Sequence, residues 1–320
     1  MKQLSFKHYS GNMIKSFFSL TLFCLAFSFS SFAQEFQLIN PESKPVHDKD
    51  ISQLSPLEIL EDSLVHFADS MYNTAMDEPR IEASYLFIRT FKQFIKTPQS
   101  YQYPCNKLKE KITILQTPDR KLKIYNWEVQ RGPIEKRYYA VIQLQDGSFI
   151  PLVDVSEQII RGAEDSVLSG TRWYGALYYQ VIQQDIAGQP IYFIMGWNGS
   201  TMNSEKKMVE AFGFDSKGRG IFGAPVFNII ERGKRKQVNR FILEYQKGSK
   251  VSMRYDEDLK QIVFDHCESQ IGDPAKKYTY SPDGTYDGLI WDGQSWKMNE
   301  NVIQIDIREN GNAPVDKPIK

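Results

Sequence analysis

The residue types that could do chemistry in this chain are few, and they gather in one late stretch. Asp265-His266-Cys267 sets a carboxylate, an imidazole and a thiol side by side. A Cys–His pair can produce a thiolate nucleophile. Neighbours on a strand, however, point to opposite faces. His266 would lie with Ile262 and Phe264, and Cys267 with Val263 and Asp265, so the pair could meet only across a bulge. The segment Pro282-Asp283-Gly284-Thr285-Tyr286-Asp287-Gly288 adds two carboxylates. Glycosidases work with paired carboxylates, but that pairing is spatial and spacing does not encode it. Calcium would need about six or more oxygens, more than this loop offers. Asp283, Asp287, His266 and Cys267 are therefore the candidate catalytic residues. Each has a plain structural reading beside it: a turn feeding a strand, a histidine at the edge of the core, a buried thiol.

Other constellations are weaker. His47, His66 and His266 follow the N-terminal leader, and no two have metal-ligand spacing. His66 shares a polar helix face with Asp62 and Asp69, which reads as surface hydrogen bonding. Ser204-Glu-Lys-Lys207 matches S-x-x-K but falls between strands, and no K-T-G supports it. G-x-S-x-G, P-loop, H-E-x-x-H and EF-hand patterns are absent from the sequence. No metal and no cofactor is expected. The basic cluster Arg232, Lys234, Arg235 and Lys236 reads as a solvated hairpin tip that guards a sheet edge. Trp127, Trp173, Trp197, Trp291 and Trp296 could line a carbohydrate-binding face, although large aromatics in a β protein more often fill the core.

The elements that must position these residues are mostly strands. The clearest stretch runs from Trp173 to Phe227. Short aromatic and β-branched runs alternate there with Gly, Asn and Asp, the pattern of antiparallel strands joined by tight turns. Ile191–Trp197 is apolar on both faces, with Ile191, Phe193, Met195 and Trp197 on one side and Tyr192 and Ile194 on the other. Such a strand belongs in the middle of a sheet covered on both sides. Further strands are predicted at Leu122–Val129, Tyr138–Leu144, Phe149–Val153, Val226–Glu231, Val238–Tyr245, Lys250–Tyr255, Gln261–His266, Tyr286–Trp291 and Ser295–Met298. The run Val238–Tyr245 is expected to form a hairpin with Val226–Glu231. Val155 to Ser169 reads as a loop with a helical turn or two.

Two helices precede the strands. Ser55-Pro56-Leu57-Glu58 is a capping box with proline at the first helical position. Leu57, Leu60, Leu64, Phe67 and Met71 follow at helical spacing. A second helix starts at Asp77–Pro79, with Ile81, Tyr85, Ile88, Phe91 and Ile95 on one stripe, and Pro98 ends it. Such a hairpin cannot bury its apolar face alone and must dock on the β region.

The chain has 320 residues and zero formal net charge. The charge balance gives no electrostatic reason to expect nucleic acid or an anionic membrane as partner. Lys15, the apolar run Phe17 to Phe29 and Ser31-Phe32-Ala33 have the form of a secretion signal, with cleavage between Ala33 and Gln34. The run is too short to span a bilayer. Met13 is an alternative start. Export would permit a disulfide between Cys105 and Cys267; the alternative is two separate buried thiols. The expected organisation is a leader over 1–33, a linker over 34–54 and a helical hairpin over 55–98. An antiparallel β domain over 110–305 and a disordered tail over 306–320 follow. The fold class is mainly β with an N-terminal helical hairpin, an α+β arrangement. Its β part is a meander, sandwich or propeller-like array.

Several blocks carry a resemblance. Gly196-Trp197-Asn198-Gly199, Ile221–Phe227, Met253-Arg254-Tyr255, Val263–His266 and Pro282–Asp287 are similar to segments of uncharacterised exported proteins of Bacteroidota-type bacteria. The resemblance covers roughly Lys111 to Met298. It implies compartment and lineage, and no catalytic residue. The expectation is a non-catalytic periplasmic or envelope protein, or a secreted one, that binds an envelope protein or a glycan. Two alternatives stand beside it: a secreted hydrolase whose carboxylates or Cys–His pair assemble in space, and a structural part of an envelope assembly.

Overall fold

The computed structural model describes residues 54–303, apart from Ile160, Ser200 and Arg232. The leader with its Ala33/Gln34 cleavage site, the linker up to residue 53, His47 and the tail over 306–320 lie outside the described residues.

The capping box at Ser55 forms as its sequence requires. The Ser55 hydroxyl accepts from the Glu58 amide, and the Glu58 carboxylate accepts from the Ser55 amide at 2.8 Å. It opens helix α1 (Pro56–Asn73), which pairs with α2 (Asp77–Lys96). The buried stripe of α2 is rotated from the expected one. Phe87, Phe91 and Phe94 face inward, while Tyr85 is 60 % exposed. The reason is the partner surface: Phe87 and Phe91 pack edge-on against Trp127 and Tyr125, with ring centroids 5.0 Å apart. Glu61 of α1 is buried but fully used. It accepts from Tyr103 Oη at 2.7 Å and from the amides of Lys107 and Leu108 at 2.9 Å, tying the helix to the connector.

Among the described residues sixteen strands follow in three sheets. The first sheet is β1 (Thr113–Gln116), β2 (Leu122–Gln130), β3 (Lys136–Leu144) and β4 (Phe149–Val153), in that order and all antiparallel. The second holds β5 (Leu168–Ser169), β6 (Leu177–Ile186), β7 (Gln189–Asn198), β8 (Ser204–Phe214) and β9 (Gly220–Phe222). Its order is β5-β9-β8-β7-β6, and β12 (Arg240–Gln246) also pairs with β8. The third holds β10 (Phe227–Glu231), β11 (Lys234–Val238), β13 (Met253–Asp256), β14 (Gln261–Ser269), β15 (Tyr280–Trp291) and β16 (Trp296–Ile303). Its order is β11-β10-β16-β15-β14-β13, antiparallel except for a short parallel contact between β10 and β16.

The sheets stack. One face of the first sheet carries the helical hairpin, through Tyr125, Trp127 and Val129. Its other face, through Ile124, Tyr138 and Ile142, packs on Tyr192, Ile194, Met208 and Phe212 of the second sheet. The opposite face of the second sheet, through Phe193, Met195, Val209 and Phe241, packs on Ile262, Phe264, Leu289 and Trp296 of the third. Strand β7 is thus buried on both faces because each face meets a different sheet. The architecture is a stacked α+β sandwich, and the propeller-like alternative is set aside. No helix among the described residues is long and apolar enough to cross a membrane.

The expected hairpin from Val226 to Tyr245 is corrected. Strand β10 turns back at once into β11, so Lys234, Arg235 and Lys236 of the basic cluster form part of the edge strand itself. The chain then breaks at Asn239, whose amide donates to Glu164 O at 2.8 Å, and β12 crosses into the second sheet. Lys234, Arg235 and Lys236 on that edge keep it from pairing with another chain.

Candidate functional site

Two regions bear on function, a charged array in the third sheet and a cleft beside it. The array forms because β15 is irregular on both sides. Between the pairs Asp265↔Tyr286 and Cys267↔Pro282, one residue of β14 faces three of β15, and the lone residue is His266. Gly284, at φ +94°, makes this excursion feasible where a side chain would be strained. The register slips again between Tyr286 and Gly288 against β16, which leaves Asp287 at the second irregular point.

The imidazole of His266 consequently lies between two carboxylates. Nδ1 is 2.6 Å from Asp287 Oδ2, and Nε2 is 4.0 Å from Asp283 Oδ2. Burial lowers the imidazole pKa. The hydrogen bond to Asp287 and the charges of Asp287, Asp283 and Glu268 outweigh that effect and raise it. At Asp283, burial favours the neutral acid, but the Thr285 amide and hydroxyl, each at 2.8 Å, together with His266, hold the carboxyl below its ordinary value. The structure thus brings together Asp283, His266 and Asp287.

Cys267 is not part of that group. Its Sγ points to Asp265 O at 3.7 Å and packs with Tyr245 and Val251. Burial, and then the charges of Asp265, Asp283 and Asp287, push its thiol up to about 12. A thiol held that high is no nucleophile near neutral pH, so the Cys–His reading of this pair is corrected. The disulfide expectation is corrected too. Cys105 lies under the helical hairpin, Cys267 lies between the second and third sheets, and both are free.

The remaining sequence candidates fall to structural roles. Exposed His66 leaves its neighbours Asp62 and Asp69 to Lys107 and Lys111, at 2.5 and 2.7 Å. Ser204 opens β8 and donates to Glu244 Oε1 at 2.5 Å. Trp127, Trp173 and Trp296 are core, and Trp291 packs against the core. Trp197 is the exception.

Trp197 lines a cleft of about 730 Å³ at the margin of the second and third sheets. The floor comes from the second sheet: Trp197 at the end of β7, Glu205 and Lys207 on β8, and Tyr245 on β12. The wall comes from the third, through Asp265, Tyr286 and the loop over residues 249–252. Alternation on β8 decides which residues serve. Val209 and Ala211 face the third sheet, so Glu205 and Lys207, at the same parity, continue that face beyond the packed core. The Glu205 carboxylate accepts from Trp197 Nε1 at 3.3 Å and Tyr245 Oη at 3.5 Å, which fixes both rings. Lys136 Nζ stands 4.7 Å from the Trp197 ring centroid. A Cβ on Gly199 would come within 2.3 Å of that ring, so only glycine lets the chain turn there. Burial lowers the Lys207 pKa and Glu205 opposes it; the ammonium also sits 4.5 Å from the Tyr179 ring centroid. Burial raises the Tyr245 phenol.

Asp265 and Tyr286, a cross-strand pair, connect this cleft to the array, since His266 and Asp287 are their chain neighbours. None of Asp283, His266 and Asp287 lines the cleft. In the sequence Glu205 and Lys207 appear only within the discounted S-x-x-K match and Tyr245 only as a strand end, and the parity of β8 is the one hint that Glu205 and Lys207 share a face.

No protein-family model matches the chain, and no curated protein does. Among solved structures, a chain of Morganella morganii TcdA4, determined by cryo-electron microscopy, aligns over 78 % of this chain and 9 % of its own length. The identity is 9 % and the TM-score 0.22, a likeness too slight to inform fold or function.

Proposed function

We propose that this is an exported, non-catalytic binding protein of the bacterial periplasm or envelope, and that the Trp197–Tyr245–Tyr286 cleft takes its ligand. The observation that carries the reading is the make-up of the cleft. Aromatic surfaces held in place by Glu205 adjoin Lys207, Lys250, Asp265 and Ser252 within one concave site. Rings beside hydrogen-bonding groups suit a ligand with a flat apolar face and many hydroxyls, which points to a glycan. The leader and the resemblance to Bacteroidota-type exported proteins support the compartment.

A second reading, a hydrolase, draws on Asp283–His266–Asp287. Against it stand the position of these groups outside the cleft and the engagement of the Asp283 carboxyl with Thr285. The test titrates the full chain with a panel of soluble oligosaccharides, read by intrinsic tryptophan fluorescence. Saturable quenching that Trp197→Ala removes and His266→Gln leaves intact supports the binding reading. Turnover of an oligosaccharide, lost in His266→Gln, would replace it with the hydrolase.

A further inference from the structure

A different cleft, of about 490 Å³, lies where the connector after α2 meets the first sheet. Three cations line it, Lys109, Arg120 and Lys123, with Tyr101, Tyr103 and Gln116 among the other walls, and no carboxylate is part of its lining. The pairing of the nearby cations makes the contrast plain. Lys107, Lys111 and Lys121 each have an aspartate within 4.0 Å, namely Asp62, Asp69 and Asp119. Among the described residues Lys109, Arg120 and Lys123 form no ion pair.

Lys123 is the unusual member. It sits on β2 at 7 % exposure. Its Nζ donates to Tyr101 O at 2.5 Å and Tyr103 O at 2.9 Å, and it stands 5.4 Å from the Tyr101 ring centroid. Two carbonyls and the rings of Tyr101 and Tyr125 solvate the ammonium but do not neutralise it, and a buried charge without a counterion is costly. The carboxylates that could have served are committed elsewhere. Glu61 takes Tyr103 Oη and two amides. Asp119 takes Thr117 Oγ1 at 2.7 Å, Tyr192 Oη at 2.9 Å and the Lys121 amide. Consistently, burial lowers the Lys123 pKa, and the one opposing charge is that of Cys105, itself a thiol pushed up to about 11.

We propose that this cleft binds the oxyanion of a small ligand, a phosphate or a carboxylate, with Lys123 at its floor and Arg120 and Lys109 at its mouth. The oxyanion supplies the counter-charge the protein withholds. Gln116 offers an amide donor, and the Tyr101 and Tyr103 rings offer a surface for the body of the ligand. This site is separate from the aromatic cleft and does not depend on the reading of that cleft.

The test titrates the full chain with inorganic phosphate and, separately, with benzoate, at ionic strength held constant with potassium chloride, following the thermal midpoint and Tyr and Trp fluorescence. Constant ionic strength removes non-specific screening. A saturable rise in midpoint with either anion is expected, and whichever acts identifies the oxyanion. Arg120→Gln and Lys109→Gln change exposed residues and should each weaken the apparent affinity by about tenfold. Lys123→Met should remove saturation, and Lys107→Gln, whose lysine already has Asp62, should change nothing. No saturable response to either anion would overturn the site. So would unchanged affinity in Arg120→Gln and Lys109→Gln, or an equal loss in Lys107→Gln.

Discussion

The side-chain amide of Gln180 pairs with the backbone of Tyr255 as a strand would. Its Oε1 accepts from the Tyr255 amide at 2.9 Å, and its Nε2 donates to Tyr255 O at 3.4 Å. One residue earlier, Tyr179 Oη donates to Met253 O at 2.9 Å. β13 is the outer strand of the third sheet, and these side chains from β6 satisfy backbone groups that another chain could otherwise recruit. The contact also locks the second and third sheets in register. Gln180→Ala should cost about 1–2 kcal/mol, two modest hydrogen bonds. Hydrogen exchange should speed up selectively at Tyr255. Unchanged exchange there would mean that the edge is protected by something else.

The fully buried pair Glu210–Arg240 makes a sharper test of packing. Arg240 Nε donates to Glu210 Oε2 at 2.5 Å, Arg240 Nη1 donates to Ala163 O at 2.5 Å, and Tyr178 Oη donates to Glu210 Oε1 at 2.5 Å. Removing one partner leaves the other charge stranded. Arg240→Met and Glu210→Leu should each cost about 3–5 kcal/mol in urea unfolding, and the double variant should lose less than their sum. Additive losses would show that the pair acts as two independent groups.

His266 gives a pH signature. Its pKa in the fold is raised above the ordinary 6.5, so folding takes up a proton in the window from 6.5 to that higher value. The native state holds the extra proton there, and stability therefore falls as pH rises. The contribution is complete below 6.5 and gone above the folded value. Stability profiles of wild type and His266→Gln should converge as pH climbs through this window, and Asp283→Asn should shrink the gap. A gap that widens with pH would contradict the arrangement.

The two described cysteines should be inert. Thiols held at about 11 and about 12 in the core carry almost no thiolate at pH 8. In a Cys24→Ser background, a disulfide reagent should modify neither Cys105 nor Cys267 until the protein unfolds, and then both. A rapid native equivalent would revive a reactive cysteine. Failure to label after unfolding would reveal a disulfide.

Much of this fold could be read in advance from local patterns. The capping box of α1 needs only adjacent residues, and the two-sided apolarity of Ile191–Trp197 announced a sheet covered on both faces. What escaped depended on register and crossover. Val238–Tyr245 looked like one strand because no Gly or Pro marks the break at Asn239, and a polar Asn-Arg pair also suits the exposed part of a continuous strand. Tyr85 sat at proper helical spacing, yet the rings of Phe87 and Phe91 found the aromatic face of β2 and turned the helix. The grouping of His266 with Asp283 and Asp287 rests on two register slips around β15, which residue spacing does not encode. The cleft escaped because Glu205 and Tyr245 come from different strands, joined only through the pairing of β8 with β12.

Ligand binding in that cleft can be read residue by residue from a map of backbone amide shifts in the full chain as a binding oligosaccharide is added. The proposed glycan site requires saturable shifts confined to Trp197, Glu205–Lys207, Tyr245–Ser252, Asp265 and Tyr286, with the sugar recovered intact. Shifts centred on Asp283, His266 and Asp287 with cleavage of the sugar, or no saturable shift with any oligosaccharide, would contradict it.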